Sequence, residues 1–537
     1  MSTSPRPLES TAPLPQSTAE QAAAPEATFT GVFDISDADG VNESERLLMR
    51  LCRRSFLSLW SFANLHTDQD MRGGRGSAKE FADVLVVFGN DVVIFSDKHV
   101  AFQEDRDLGV AWRRWYKRAV EESAKQLHGA MSWARRFPKR VFLDTACTRP
   151  LPVALPSADS ARFHLVAVTR GSYEACARFF SGSLGTLQIR TDVRGSAHAD
   201  NPFFVGLVNP EKAFVHVFDE FSLEMVLKEM DTASDFISYL KDREAFLNRQ
   251  DRVVYAAGEE QLLASYLTNG DELGRNFLPP SAREEEATVI AFDETHYESL
   301  MSNPSFREKK RLDKPSYLWD RMVERFIRLG DPELIAPGFD QDNNETEQAL
   351  RLLARESRFR RRILVDAIRG VLTRAADEGR QAARVFTTDQ DTSLVYVFVL
   401  VPKRANETYD DYRGHRIAVL HAYCKCAKLR FPEGSTFIGI AFDHPTRDYR
   451  GSSEDLFVYI CEHLGDEERE EAERYRQELG ILPDNMELKR MSTAEFPAFV
   501  TKAQPVKNDT KRPSKNDERK RNRSKMAKAS RKRNRRR

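Results

Sequence analysis

Two short apolar runs, Val84–Phe88 and Val92–Phe95, are separated only by Gly89-Asn90-Asp91. Runs of this length, rich in β-branched residues, suit strands, and Gly-Asn-Asp between them is tight-hairpin chemistry. An antiparallel hairpin lays the start of one strand beside the end of the other. Asp83 and Lys98, fifteen positions apart in the chain, are therefore predicted to meet at one open edge. Charged residues are rarely placed on buried strands without a partner or a task.

The flanking segments narrow the choice. SERLLMRLCRRSFLSLWSF, from Ser44 to Phe62, has helical periodicity. Ala111–Arg136 reads as one long amphipathic helix, with Trp112, Trp115, Ala119, Leu127, Ala130 and Trp133 on its apolar stripe. Helix, hairpin with an acid and a lysine at its mouth, then helix: residues 43–145 resemble the restriction-endonuclease-like, PD-(D/E)XK, superfamily. The resemblance implies a short mixed sheet flanked by helices. Its first acid starts one strand and an acid-any-Lys triplet lies on the next. The matching positions are Asp83, Ser96 and Lys98. Ser96 departs from the pattern, because a hydroxyl is a poor ligand for a hard divalent cation. Asp97 is acidic but belongs to the other face of the strand unless a bulge re-aims it. Glu80 supplies the missing carboxylate if the chain bends there, and Glu45 on the preceding helix is a second candidate. Gln126, on the following helix, stands where many members of the superfamily carry a polar active-site residue.

The resemblance implies phosphodiester hydrolysis of DNA, with Mg²⁺ or Mn²⁺ held by Asp83 and Glu80 and a water oriented by Lys98. Catalytic candidates are thus Asp83, Lys98, Glu80, Glu45 and Gln126. Two other readings compete. In one, the fold is catalytically silent and the chain holds nucleic acid through its tail; in the other, the chain is a scaffold or regulator. A plain cross-strand ion pair between Asp83 and Lys98 is the blandest account and contributes roughly 0.2–1 kcal/mol.

Charge is distributed unevenly. The 82 basic and 82 acidic residues cancel, yet residues 507–537 carry 16 Lys and Arg against Asp509, Asp517 and Glu518. Such an arm, without apolar periodicity, is expected to be disordered and to bind phosphate backbones through counterion release. No run approaches the roughly 18 apolar residues of a membrane span, and the N-terminus lacks an apolar signal core. Six cysteines in 537 residues fit a reducing compartment, so a cytoplasmic protein is expected. Cys424-Lys-Cys426 with His421 has the wrong spacing for a zinc knuckle, and no second pair accompanies it.

The predicted architecture is mixed α/β. Residues 1–40, rich in Pro, Ala, Ser and Thr, form a flexible leader. Residues 41–280 form the nuclease-like domain, whose further strands are Phe163–Thr169, Phe203–Val208 and Ala213–Phe218, followed by a helix at Ser222–Phe246. These strands either extend the first sheet or build a second. Pro279-Pro280 and the acidic run at 284–286 suggest a linker. Residues 287–500 form a second α/β domain with helices at Tyr317–Leu329, Thr346–Glu378, Tyr412–Leu429 and Asp466–Arg476. Its strands are Ser393–Val401, buried on both faces, and Thr436–Phe442. Asp443 and His444 lie just past the latter, where α/β folds often place ligand contacts; a surface turn explains them equally well. Residues 503–537 are the disordered basic tail. The glycine-rich stretch at 73–76 is expected to be a loop at the mouth of the site.

Overall fold

A computed structural model describes residues 33–497, apart from 72–75, 182, 271–273, 284–286, 330–342, 446–452 and 484. The first 32 residues, most of the loop at 73–76, the acidic run at 284–286 and the basic tail lie outside the described residues.

In chain order the N-terminal half runs α1 (Glu43–Trp60), β1 (Ser61–Thr67), β2 (Lys79–Phe88), β3 (Asp91–His99) and α2 (Leu108–Tyr116). A π turn (Lys117–Glu121) leads into α3 (Glu122–Arg136), then β4 (Arg162–Arg170), α4 (Tyr173–Phe179), β5 (Gln188–Arg194), β6 (Phe204–Leu207) and β7 (Val215–Asp219). It closes with α5 (Glu220–Glu229), α6 (Ala233–Leu247), β8 (Val253–Ala256), α7 (Glu259–Thr268) and β9 (Val289–Phe292). The C-terminal half adds β10 (Ala382–Thr388), β11 (Asp391–Val401), β12 (Thr436–Asp443) and β13 (Glu454–Ile460).

Among the described residues these strands form three mixed sheets. The first has the order β1-β2-β3-β4-β7, the second β6-β5-β8-β9 and the third β10-β11-β12-β13. In the first sheet β1, β2 and β3 form an antiparallel meander, after which β4 and β7 join in parallel. Gly89-Asn90 makes the β2–β3 turn, with Phe88 paired to Asp91. Gly89 has φ +60°, which the first position of so tight a hairpin loop demands and other side chains resist. From Val84 to Val87 and Val92 to Phe95 the side chains are 0% exposed, so both faces are covered. α3 covers the face of Ser96. α1 and α6 cover the face of Phe95, whose ring stacks on Phe236, itself edge-on to Phe56.

Several elements depart from the sequence reading. α1 stops at Trp60 and β1 follows without a loop; Leu57, at φ +63°, breaks the helix. The helix predicted over Ala111–Arg136 starts at Leu108 under an Asp107 cap and is interrupted by the π turn. Ser222–Phe246 divides into α5 and α6, because Thr232 caps α6 by accepting the N–H of Asp235. Phe204–Leu207 and Val215–Asp219, neighbours in the chain, go to different sheets. Thr346–Glu378 is two helices, Asn343–Ala354 and Arg358–Glu378, the second capped by Ser357. The helix at Tyr317–Leu329 lies where it was read.

The described residues up to Met491 pack as one compact unit, and residues 492–497 belong to another. Within the first unit, buried polar contacts cross between the halves. Trp60 Nε1 donates to Glu347 Oε1 at 2.6 Å, Ser58 N–H to Glu324 Oε2 at 3.1 Å, and Arg358 Nε to Asp231 Oδ1 at 2.8 Å. The third sheet has its own core, in which β11 and the helix Tyr409–Arg430 bury Val395, Val397, Leu420 and Cys424.

Candidate functional site

The β2–β3 ladder runs from the turn back to Val84 and Phe95, where it ends. Beyond that point the Asp83 carboxylate stands in for a backbone acceptor, its Oδ2 receiving the N–H of Asp97. On the other side of β2 the register slips. Leu65 pairs with Ala82 but His66 pairs with Glu80, so β2 spends one extra residue, Phe81, against β1. In a regular strand residues 80 and 83 lie on opposite faces. The bulge reverses the alternation and brings Glu80 round to the side of Asp83, where the two carboxyls share a hydrogen bond.

Asp83 is only 4% exposed, whereas Glu80 is exposed, so the pair opens to solvent on the Glu80 side. Burial pushes the Asp83 carboxyl up to about 7, and the neighbouring Glu80 adds to the rise. The Asp97 N–H and the Lys98 ammonium pull the other way without cancelling it. Lys98 is half-buried, and no hydrogen bond or ion pair to a described residue holds its ammonium. Asp83, Glu80 and Lys98 thus converge at the end of the ladder.

Ser96 is fully buried, its Oγ 3.4 Å from both Ser123 Oγ and Gln126 Oε1. These are long contacts for hydroxyl hydrogen bonds, but they fix Gln126 of α3 over the strand position next to Lys98. Asp97 is buried on the opposite face, and both its oxygens are taken by Arg170, at 2.9 and 3.1 Å. Glu45 is not brought into the group. Its carboxylate accepts the Val41 N–H at 2.7 Å and contacts Asn42 Nδ2, closing the first turn of α1.

Beside the end of β3 lies a cavity of about 380 Å³, lined by Val100, Gln103, Arg114, Trp115, Lys117 and Arg118 among others. Its basic wall is Arg114, Lys117 and Arg118, the last two within the π turn. Turns of this kind cluster at functional sites. The signal for this wall is present in WRRWYKR, where cations recur at helical spacing. The bulge left no sequence signal, because Phe81 looks like any strand residue and β1, most of it beyond the predicted helix, was not read as a strand.

The C-terminal candidates are tied to the scaffold. Asp443 pairs with the buried Arg416 and accepts the Ser453 N–H at 2.9 Å. His444 Nε2 lies 3.0 Å from the Arg380 carbonyl. Cys424 and Cys426 are buried and unpaired. No helix among the described residues is long and apolar enough to cross a membrane. Comparison of the chain with family models, with curated proteins and with solved structures finds no match.

Proposed function

We propose that the chain is a restriction-endonuclease-like, metal-dependent nuclease that hydrolyses phosphodiester bonds in DNA. The observation that carries this reading is the bulge at Phe81, which returns a second carboxylate, Glu80, to Asp83 beside Lys98. It supplies what Ser96 withholds. Two carboxyls in contact at a solvent-open edge are the oxygen donors a hard dication prefers, so Asp83 and Glu80 are the residues that would hold Mg²⁺ or Mn²⁺. When bound, such an ion polarises the phosphoryl oxygens and eases departure of the 3′ oxygen. Lys98 orients the attacking water and offsets developing negative charge, and Gln126, held against Ser96 of the same strand, would help steer it. Arg114, Lys117 and Arg118 offer cations to the phosphates on either side of the cut, and the basic tail adds affinity without sequence preference.

The full-length protein is expected to nick supercoiled DNA with Mn²⁺ or Mg²⁺ and to lose this activity in Asp83→Ala and Lys98→Ala. Loss of a metal-binding carboxylate costs several kcal/mol of transition-state stabilisation, hence roughly a hundredfold or more in rate. Wild-type cleavage by Asp83→Ala would place the chemistry elsewhere. The buried Ser96 favours a second reading, a silent fold that binds nucleic acid without cutting it. Calorimetry separates the two, since the silent form takes up neither Mn²⁺ nor Mg²⁺ at Asp83.

A further inference from the structure

His164 on β4, His216 on β7 and Glu244 on α6 form a second cluster, unrelated to the hairpin mouth. One ligand atom from each lies within 4.8 Å of the other two. The register places it. Val166 pairs with His216 and with Phe95, so the histidines share the Phe95 face, opposite that of Ser96. His164 pairs with Val93 near the turn end of β3, whereas Lys98 is at its other end. The two sites therefore occupy opposite faces and opposite ends of one sheet.

Both imidazoles are buried, at 4% and 0% exposure, and each has one ring nitrogen without a hydrogen-bond partner, Nδ1 of His164 and Nε2 of His216. Leaving such atoms buried and unmatched costs about 1–3 kcal/mol each. The other nitrogen of His164, Nε2, lies 3.0 Å from Asp91 Oδ1, and Arg162 holds that carboxylate at 3.0 and 2.7 Å. Donation from Nε2–H to Asp91 leaves the Nδ1 lone pair free, the carboxylate–histidine arrangement that orients metal-binding imidazoles.

We propose that His164, His216 and Glu244 bind a borderline divalent transition-metal ion of the zinc class. Two imidazoles and one carboxylate suit such an ion and do not suit Mg²⁺. Three protein ligands leave a fourth position for water, and Glu244, only half-buried, provides the solvent path. Bonds of about 2.0–2.2 Å put tetrahedral ligands roughly 3.4 Å apart, so the cluster needs to contract by little more than an ångström. One contact yields on binding. Arg243 Nη1 is 3.3 Å from His216 Nδ1, and with the ion on Nε2 that Nδ1 carries the proton instead of accepting. Arg243 keeps its two bonds to Glu259, both at 2.8 Å.

The test uses the full-length chain, stripped with EDTA and titrated with Zn²⁺ against a competing chromophoric chelator. Wild type is expected to hold one ion that both His164→Gln and Glu244→Gln weaken at least tenfold, and Zn²⁺ is expected to raise its melting temperature. Glu244→Gln, on a half-exposed helix position, keeps the fold intact if His164→Gln does not. Glu80→Gln, at the other end of the sheet, is expected to leave this affinity unchanged. No tight ion in wild type, or equal binding in wild type and Glu244→Gln, overturns the proposal and in the second case assigns the zinc to other ligands such as the cysteines. Neither result touches the nuclease reading, which concerns other residues.

Discussion

Asp83→Asn is expected to stabilise the metal-free protein, by an amount that grows with pH. The Asp83 carboxyl is buried and titrates at about 7 instead of 3.8. That difference corresponds to roughly 4 kcal/mol between its protonated and charged forms. A carboxyl whose pKa is raised on folding contributes its full stability below about 3.8 and loses it as pH climbs through about 7. Asparagine keeps the shape and still offers an oxygen to the Asp97 N–H, yet never ionises. The gap between the two proteins should therefore be small near pH 5, widen as pH rises toward about 7, and level off above it. Water reaching the Glu80 side relaxes some of the strain, so about 2 kcal/mol is expected at pH 8, a degree or a few in melting temperature for a chain of this size. The assay is differential scanning calorimetry of both proteins in EDTA from pH 5 to 9. Parallel curves, or wild type the more stable at pH 8, would refute the placement of a strained, buried carboxyl at this edge.

The neighbouring acid makes a companion prediction. Glu80 raises the Asp83 carboxyl, so Glu80→Gln should move the pH-dependent step in stability to lower pH and weaken Mn²⁺ uptake about tenfold or more. An unchanged step, read in the same calorimetric series, would mean the two carboxyls do not meet. For the tail, deletion of residues 507–537 should weaken binding to every DNA about equally and flatten the salt dependence by roughly 0.9 per lost phosphate contact. Equal affinity and equal slope in a filter-binding series would show that the 16 basic residues serve another end.

Much of the frame was legible because local chemistry and tertiary context agreed. The centres of β2, β3 and β11 are β-branched apolar runs of strand length. The helix at Tyr317–Leu329 is amphipathic from end to end, so its limits were readable. The errors fall where one residue overrides a pattern. Leu57 at φ +63°, Thr232 and Ser357 as caps each cut a helix that periodicity would have continued. Short strands such as Val253–Ala256 and Val289–Phe292 carry too few residues for alternation to register. The sheet to which β6 and β7 belong depends on partners far along the chain, which no local pattern encodes. The candidate site divides in the same way. Asp83 and Lys98 were readable from the hairpin, while Glu80 depends on a register slip against β1.

That slip also gives a physical account of Ser96. The position is fully buried and pressed by Ser123 and Gln126, so a carboxylate there would lose its hydration, beside a second buried carboxyl at Asp83. Glu80 lies on the exposed rim of the same group, where its charge remains solvated until a cation arrives. A carboxylate supplied from the rim leaves the sheet interior uncharged and still meets Asp83. Its cost falls on Asp83 alone, whose carboxyl is held mostly protonated below about pH 7. On the proposed function, cation binding and proton release from Asp83 are then one coupled event. Mn²⁺ affinity should accordingly rise between pH 6 and 8 as the carboxyl becomes free to ionise, a trend readable from calorimetric titrations in buffers of differing ionisation heat. Affinity that stays flat across that range would mean the ion does not bind through Asp83.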